Sequence, residues 1–235
     1  MEQKMQSMMK LYPVFIVMGI MMVGIAVVIG VANAANAAQY YAVDKATRDA
    51  SQSLAQVRAG IESTIIWLPY FKFLGLSMIL AGITMALGVI GLRLQTLGED
   101  VMASVPQSAR ITIPPKPKTA MLMRLFMMAG MMIILIGLVV AIFTANLAAN
   151  VFSNPIVALD SAATGSALLQ GIAQIHSNEA WLEAFKFVGV AFFFMGIVNG
   201  LASIIFALKF QQTAIPEVVE NLPAPQHIPT PAAAD

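Results

Sequence analysis

The chain contains no cysteine, which excludes disulfides, thiolate metal sites and cysteine nucleophiles. Charge is also scarce. Only 11% of the 235 residues are charged, against roughly 25% in a soluble domain. So few charges cannot cover a water-facing surface of this size. The two histidines, His176 and His227, stand too far apart in sequence to suggest a metal site. None of the long apolar runs carries Asp or Glu, which argues against a proton relay of the kind used by ion-coupled pumps. The formal net charge of +1 sets up no strong field for nucleic acid. Phosphate-binding glycine loops, the HExxH zinc motif and the GxSxG nucleophile elbow are all missing.

What is present is hydrophobicity: 59% of the chain, with a mean hydropathy of +0.80. Four apolar runs, 14–33, 71–94, 123–146 and 187–208, are long enough to cross a bilayer as helices. They are designated TM1 to TM4. The first run follows Lys4 and Lys10 and ends in Ala32-Asn33-Ala34, which resembles a secretory signal with its cleavage site. Its length and its counterpart in TM3 favour a retained span.

One stretch is written twice. Residues 67–75 read Trp-Leu-Pro-Tyr-Phe-Lys-Phe-Leu-Gly, and residues 181–189 read Trp-Leu-Glu-Ala-Phe-Lys-Phe-Val-Gly, identical at six of nine positions. Both tryptophans of the chain lie in this motif. The likeness extends outward at the same spacing, pairing Leu54 with Leu168, Ile61 with Ile175, Gly82 with Gly196 and Ile83 with Ile197. TM1 and TM3 align more loosely, through Gly24 with Gly137 and Asn33 with Asn146. Asn33, Asn36, Asn146 and Asn150 read as helix-end caps.

The expected fold is therefore an all-α integral membrane protein. Its four transmembrane helices form two tandem hairpins, 1–95 and 121–210, related by a parallel pseudo-two-fold axis. Each hairpin carries an extracytoplasmic amphipathic helix, about 51–66 and about 165–180, because apolar residues such as Leu54, Val57, Ile61 and Ile65 recur at helical spacing. A proline-containing linker, 96–120, joins the hairpins. The Pro/Ala-rich tail, 211–235, is expected to lack a fold of its own and to serve as a contact surface. Eight Lys and Arg residues fall on the side of the termini and linker, and five on the other. That places both termini in the cytoplasm, with the chain in the plasma (inner) membrane.

The candidate site residues follow from this frame. Trp67, Lys72, Trp181 and Lys186 read as membrane-interface anchors, with indoles at headgroup level and lysines snorkelling. Gly82 and Ala86, like Gly196 and Gly200, are small residues four apart that let helices approach closely in lipid. Asn199, in the middle of TM4, wants a hydrogen-bond partner on another helix. No catalytic, cofactor or metal residue is expected, although bound lipid is compatible with the interface. Methionine is abundant, with seven of 17 in residues 1–22 and six in 121–132. It fills irregular contacts more often than it binds copper.

The expected function is a non-catalytic accessory or structural subunit of a larger membrane complex, with other integral membrane subunits and lipids as partners and no nucleic acid. The alternatives are a small oligomeric transporter or channel, and a methionine-rich copper-handling accessory of a membrane oxidase or monooxygenase. Four spans with two outer loops resemble tetraspanins and claudins in topology. The loop cysteines of those families are missing here.

Overall fold

The computed structural model describes residues 11–112, 114–115 and 117–222. The described residues are helical throughout, without strands: α1 (Tyr12–Ala42), α2 (Lys45–Ala50), α3 (Gln52–Ser104), α4 (Lys118–Phe152), α5 (Ile156–Asp160) and α6 (Ala167–Glu220), with a 3₁₀ turn at Gln107–Ala109. The starts have local causes. A proline in the first turn opens α1, where a missing N–H costs nothing. Asp44 caps α2, and Ser51 and Ser166 cap α3 and α6 by accepting from the Leu54 and Leu169 amides. Four of these helices are long and apolar enough to cross a membrane.

Three expectations change. The outer amphipathic helices are not separate elements, because α3 and α6 run unbroken through Trp67 and Trp181 for 53 and 54 residues. Pro69 lies inside α3 without ending it. Each outer segment buries part of its apolar face against the bundle, Ile61 in α3 and Ile175 in α6, while Val57 and Ile65 are exposed. The start of the tail is helical as well, since α6 continues through Pro216 to Glu220. Finally, the asparagines are no caps. Asn33 and Asn36 lie within α1, and Asn146 and Asn150 within α4. Asn33 Nδ2 donates to the Ile61 carbonyl of α3 at 3.4 Å, and Asn146 Nδ2 to the Ile142 carbonyl one turn back at 3.0 Å. Lys4, Lys10, Ile113, Lys116, His227 and the rest of the tail lie outside the described residues.

Helix α3 is the centre of the bundle. It packs on α1, α4 and α6, and α4 also packs on α6. Contacts between α1 and α3 run antiparallel, with Gly19 beside Gly75 and Gly30 beside Leu68. Those between α4 and α6 do likewise, with Gly130 beside Gly189 and Met123 beside Gly196. Three apolar clusters form the core. One, toward the connecting loops, joins Ile66, Ala145, Ala148, Val151, Leu159 and Ile175. A middle one joins Tyr70, Ala141 and Leu182, and a third joins Leu80, Ala81 and Phe193. On the loop side, the short helices α2 and α5 touch each other.

Candidate functional site: the seam around the repeated motif

Each tryptophan packs edge-on against the phenylalanine four residues later. The ring centroids are 5.8 Å apart for Trp67 and Phe71, and 5.4 Å for Trp181 and Phe185. The two copies of the motif thus repeat a side-chain contact as well as a sequence. The lysines differ. Lys186 Nζ lies 3.4 Å from Glu183 and 5.4 Å from each of the Phe73 and Phe187 rings. Its side chain is only 13% exposed. Lys72 is exposed and, among the described residues, has neither an ionic nor a ring partner. The position matching Glu183 is Pro69, which can supply no carboxylate.

The small residues sit where helices meet. A Cβ placed on Gly19 would stand 2.5 Å from the Gly75 carbonyl oxygen, and one on Gly75 would stand 2.9 Å from that of Gly19. Gly130 meets the Gly189 carbonyl at 2.9 Å in the same sense, and Gly189 meets Ile134 at 2.7 Å. Gly82 faces Tyr12 and Ile16 of α1, while Gly196 faces Met123 and Met127 of α4. Gly200 sits between Met123 of α4 and Leu87 of α3. Ala86 is half-buried. The contacts use a spacing of 111 residues between α1 and α4 (Gly19 and Gly130) and of 114 between α3 and α6 (Gly75 and Gly189). The alignment of Gly24 with Gly137 is therefore not the one the contacts follow. Gly24 has open space around it, whereas Gly137 lies under the Tyr70 ring.

Tyr70 is not part of the repeated pattern, since its counterpart is Ala184. It is buried, and its hydroxyl donates to the Leu182 carbonyl of α6. One side chain of α3 thereby joins α4, through Gly137, to α6. Other polar groups make similar stitches. Asn178 Nδ2 donates to Thr144 Oγ1 at 2.9 Å, linking α6 to α4. Thr119 and Ser203 share a hydroxyl bond of 2.7 Å between the same helices. Gln211 Nε2 donates to the Leu94 carbonyl at 3.2 Å, linking α6 to α3. Of these polar residues only Thr144 and Ser203 stand within the apolar runs; Thr119, Asn178 and Gln211 lie outside them. Asn199 behaves otherwise: its amide donates to Met195 one turn back at 2.8 Å, within α6.

The remaining candidates for chemistry do not converge. His176 is exposed, 3.7 Å from Glu179 on the same turn. Met18 and Met21 of α1 and Met128 and Met132 of α4 point outward, whereas Met123 is buried. Among the described residues, no three His, Asp or Glu side chains come together in a way that could hold a metal. An apolar cavity opens between α3, α4 and α6 near the linker, bordered by Gly88, Gly91, Pro115, Met123 and Phe206. No protein family, curated protein or solved structure matches the chain.

Proposed function

We propose that this chain is a duplicated helical hairpin that serves as a non-catalytic, structural subunit of a larger membrane complex. The observation that carries the reading is the recurrence of one set of contacts in both halves. Gly75 and Gly189, each eight residues after a motif tryptophan, lie against Gly19 and Gly130 of the preceding span. Such contacts build a rigid scaffold, because lipid-embedded helices associate through close packing of small residues. The polar side chains of the spans are largely spent on joining helix to helix or on their own helix's carbonyls. This supports a packing role over a conduit.

The partners of this reading are other integral membrane subunits and lipids. Trp67, Trp181 and the exposed Lys72 suit the headgroup layer, and the apolar cavity suits an acyl chain. The excess of basic residues on the side of the termini favours a cytoplasmic location for both, with the chain in the plasma membrane. Purification from native membrane in a mild detergent tests the role. Stoichiometric co-purification of other membrane proteins is expected, and recovery of a lone monomer refutes it. Cysteine placed at Arg48 or Arg110 of this cysteine-free chain tests the orientation. A membrane-impermeant maleimide added to intact cells should label the first and not the second.

A further inference from the structure

We propose that the outward face of α6 binds α1 of a second copy of this chain, seated as α4 is seated on α3 within one copy. The proposal rests on the duplicated-hairpin reading and assigns that scaffold its first partner.

If α6 is the counterpart of α3, the two helices should be covered alike. They are covered alike only on the side of their own hairpin partner. Ile61, Gly75 and Gly82 are buried in α3, and Ile175, Gly189 and Gly196, each 114 residues later, are buried in α6. The second covered side of α3 has no equivalent on α6. Ile66, Leu80, Ala81 and Thr84 are at most 8% exposed. Their counterparts in α6 are Ala180, Phe194, Met195 and Val198. Ala180 is exposed, and the other three are 56%, 50% and 63% exposed. What covers α3 there includes α4, whose Met131, Leu138 and Ala145 join the three core clusters. The counterparts of those residues, 111 positions earlier, are Ile20, Val27 and Ala34 of α1. All three are exposed, Ile20 at 57% and Val27 at 55%. Within one copy α1 packs on α3 and makes no comparable interface with α6 among the described residues. One uncovered face thus matches one uncovered helix, and they belong to different copies.

A cation–π pair points the same way. Lys186 of the second hairpin lies over Phe73 of the first at 5.4 Å. One step further along the same series, Lys72 of a second copy would lie over Phe187. Lys72 is exposed and lacks a partner among the described residues, and Phe187 is 56% exposed. A lysine over a phenylalanine ring is a favourable contact. Small residues on the two faces, such as Ala34 and Ala180, allow the close approach that helix association in lipid needs. The contact joins two different surfaces, so it is head-to-tail and closes into a ring when the rotation per copy permits.

Because the chain has no native cysteine, cross-linking is a direct test. The double variant Ala34→Cys/Ala180→Cys, oxidised with copper-phenanthroline in native membrane, should give a covalent ladder of copies. A disulfide needs Cα atoms within about 7 Å, so the dimer yield should exceed that of either single variant by roughly tenfold. Ile20→Cys/Met195→Cys repeats the test deeper in the bilayer. Phe143→Cys/Ala180→Cys is the control, since Phe143 lies on α4 and is 71% exposed; it should give no ladder. Cross-links from the Ala180→Cys variant only to a different protein would overturn this proposal and leave the structural-subunit reading standing. Monomers without any cross-link, from a chain that also purifies alone, would overturn both.

Discussion

Alanine at Gly19 should destabilise the bundle, whereas alanine at Gly24, five residues along the same helix, should not. At Gly19 the new Cβ would stand 2.5 Å from a backbone oxygen of α3, where ordinary contact begins at 3.4 Å. A backbone atom cannot rotate away, so α1 and α3 must part by about 1 Å and lose contact along their shared length. Overpacking of this kind costs about 1–3 kcal/mol. At Gly24 nothing lies within 4 Å. Alanine there gains helix propensity, leaving stability unchanged or raised by up to about 1 kcal/mol. Gly130→Ala should behave like Gly19→Ala, because the same contact recurs against Gly189. Gly137→Ala should be at least as costly, since it displaces the Tyr70 ring and with it the hydrogen bond to Leu182. The assay is reversible unfolding in mixed micelles of mild detergent and SDS, followed by the fluorescence of Trp67 and Trp181. A Gly19→Ala variant within about 0.5 kcal/mol of Gly24→Ala, the range of ordinary surface substitutions, would refute the packing argument. If Gly24→Ala and Gly137→Ala cost the same, the 113-residue alignment of α1 with α4 would be the right one.

Tyr70→Phe keeps the ring under Gly137 and removes only the hydroxyl that bonds to the Leu182 carbonyl. It should cost about 0.5–1.5 kcal/mol in the same assay, and an unchanged midpoint would deny the bond any energetic weight. Ser77 is fully buried in α3 and its hydroxyl has no hydrogen-bond partner among the described residues. Ser77→Ala should therefore be neutral or stabilising by about 1 kcal/mol, and a clear loss of stability would show that the hydroxyl is satisfied. Hydrogen bonds from Thr47, the backbone amide foremost, hold the Asp44 carboxyl below its ordinary pKa of 3.8. With the folded pKa lowered, the cap on α2 is present above the unfolded value and is lost as pH falls through the folded one. The Thr47 amide proton shift should titrate with a midpoint below 3.8, and a midpoint at or above it would contradict the cap.

The four long apolar helices were legible because a span in lipid demands a long apolar run, and all four runs lie within long helices. The doubled motif was legible because its aromatic and lysine residues stand out from their surroundings. The register of α1 against α4 was not. Within a stretch where nearly every residue is apolar, one glycine aligns as well as another, and Gly24 with Gly137 looked as good as Gly19 with Gly130. Only the backbone contacts distinguish them. The continuity of α3 and α6 was hidden for a different reason. Pro69 and the tryptophans mark a plausible boundary, yet Pro69 removes a single backbone donor, and α3 keeps its packing on both sides. The Tyr70 seam was not legible because its counterpart is Ala184 and its partner is a backbone carbonyl 112 residues away, which no sequence pattern marks. The helical reach to Glu220 was masked by composition, because the Pro/Ala-rich character belongs mainly to residues beyond it.

The unbroken length of α3 has a mechanical meaning. A helix of 53 residues is about 80 Å long at a rise of about 1.5 Å per residue, more than twice the thickness of the hydrocarbon layer. Tilted as one body, it would carry its far tip with the span. A tilt of about 10° at the bilayer centre would sweep a tip roughly 40 Å away through about 7 Å. With α6 of matching length packed beside it, the same tilt would carry the loop-side ends of both long helices together.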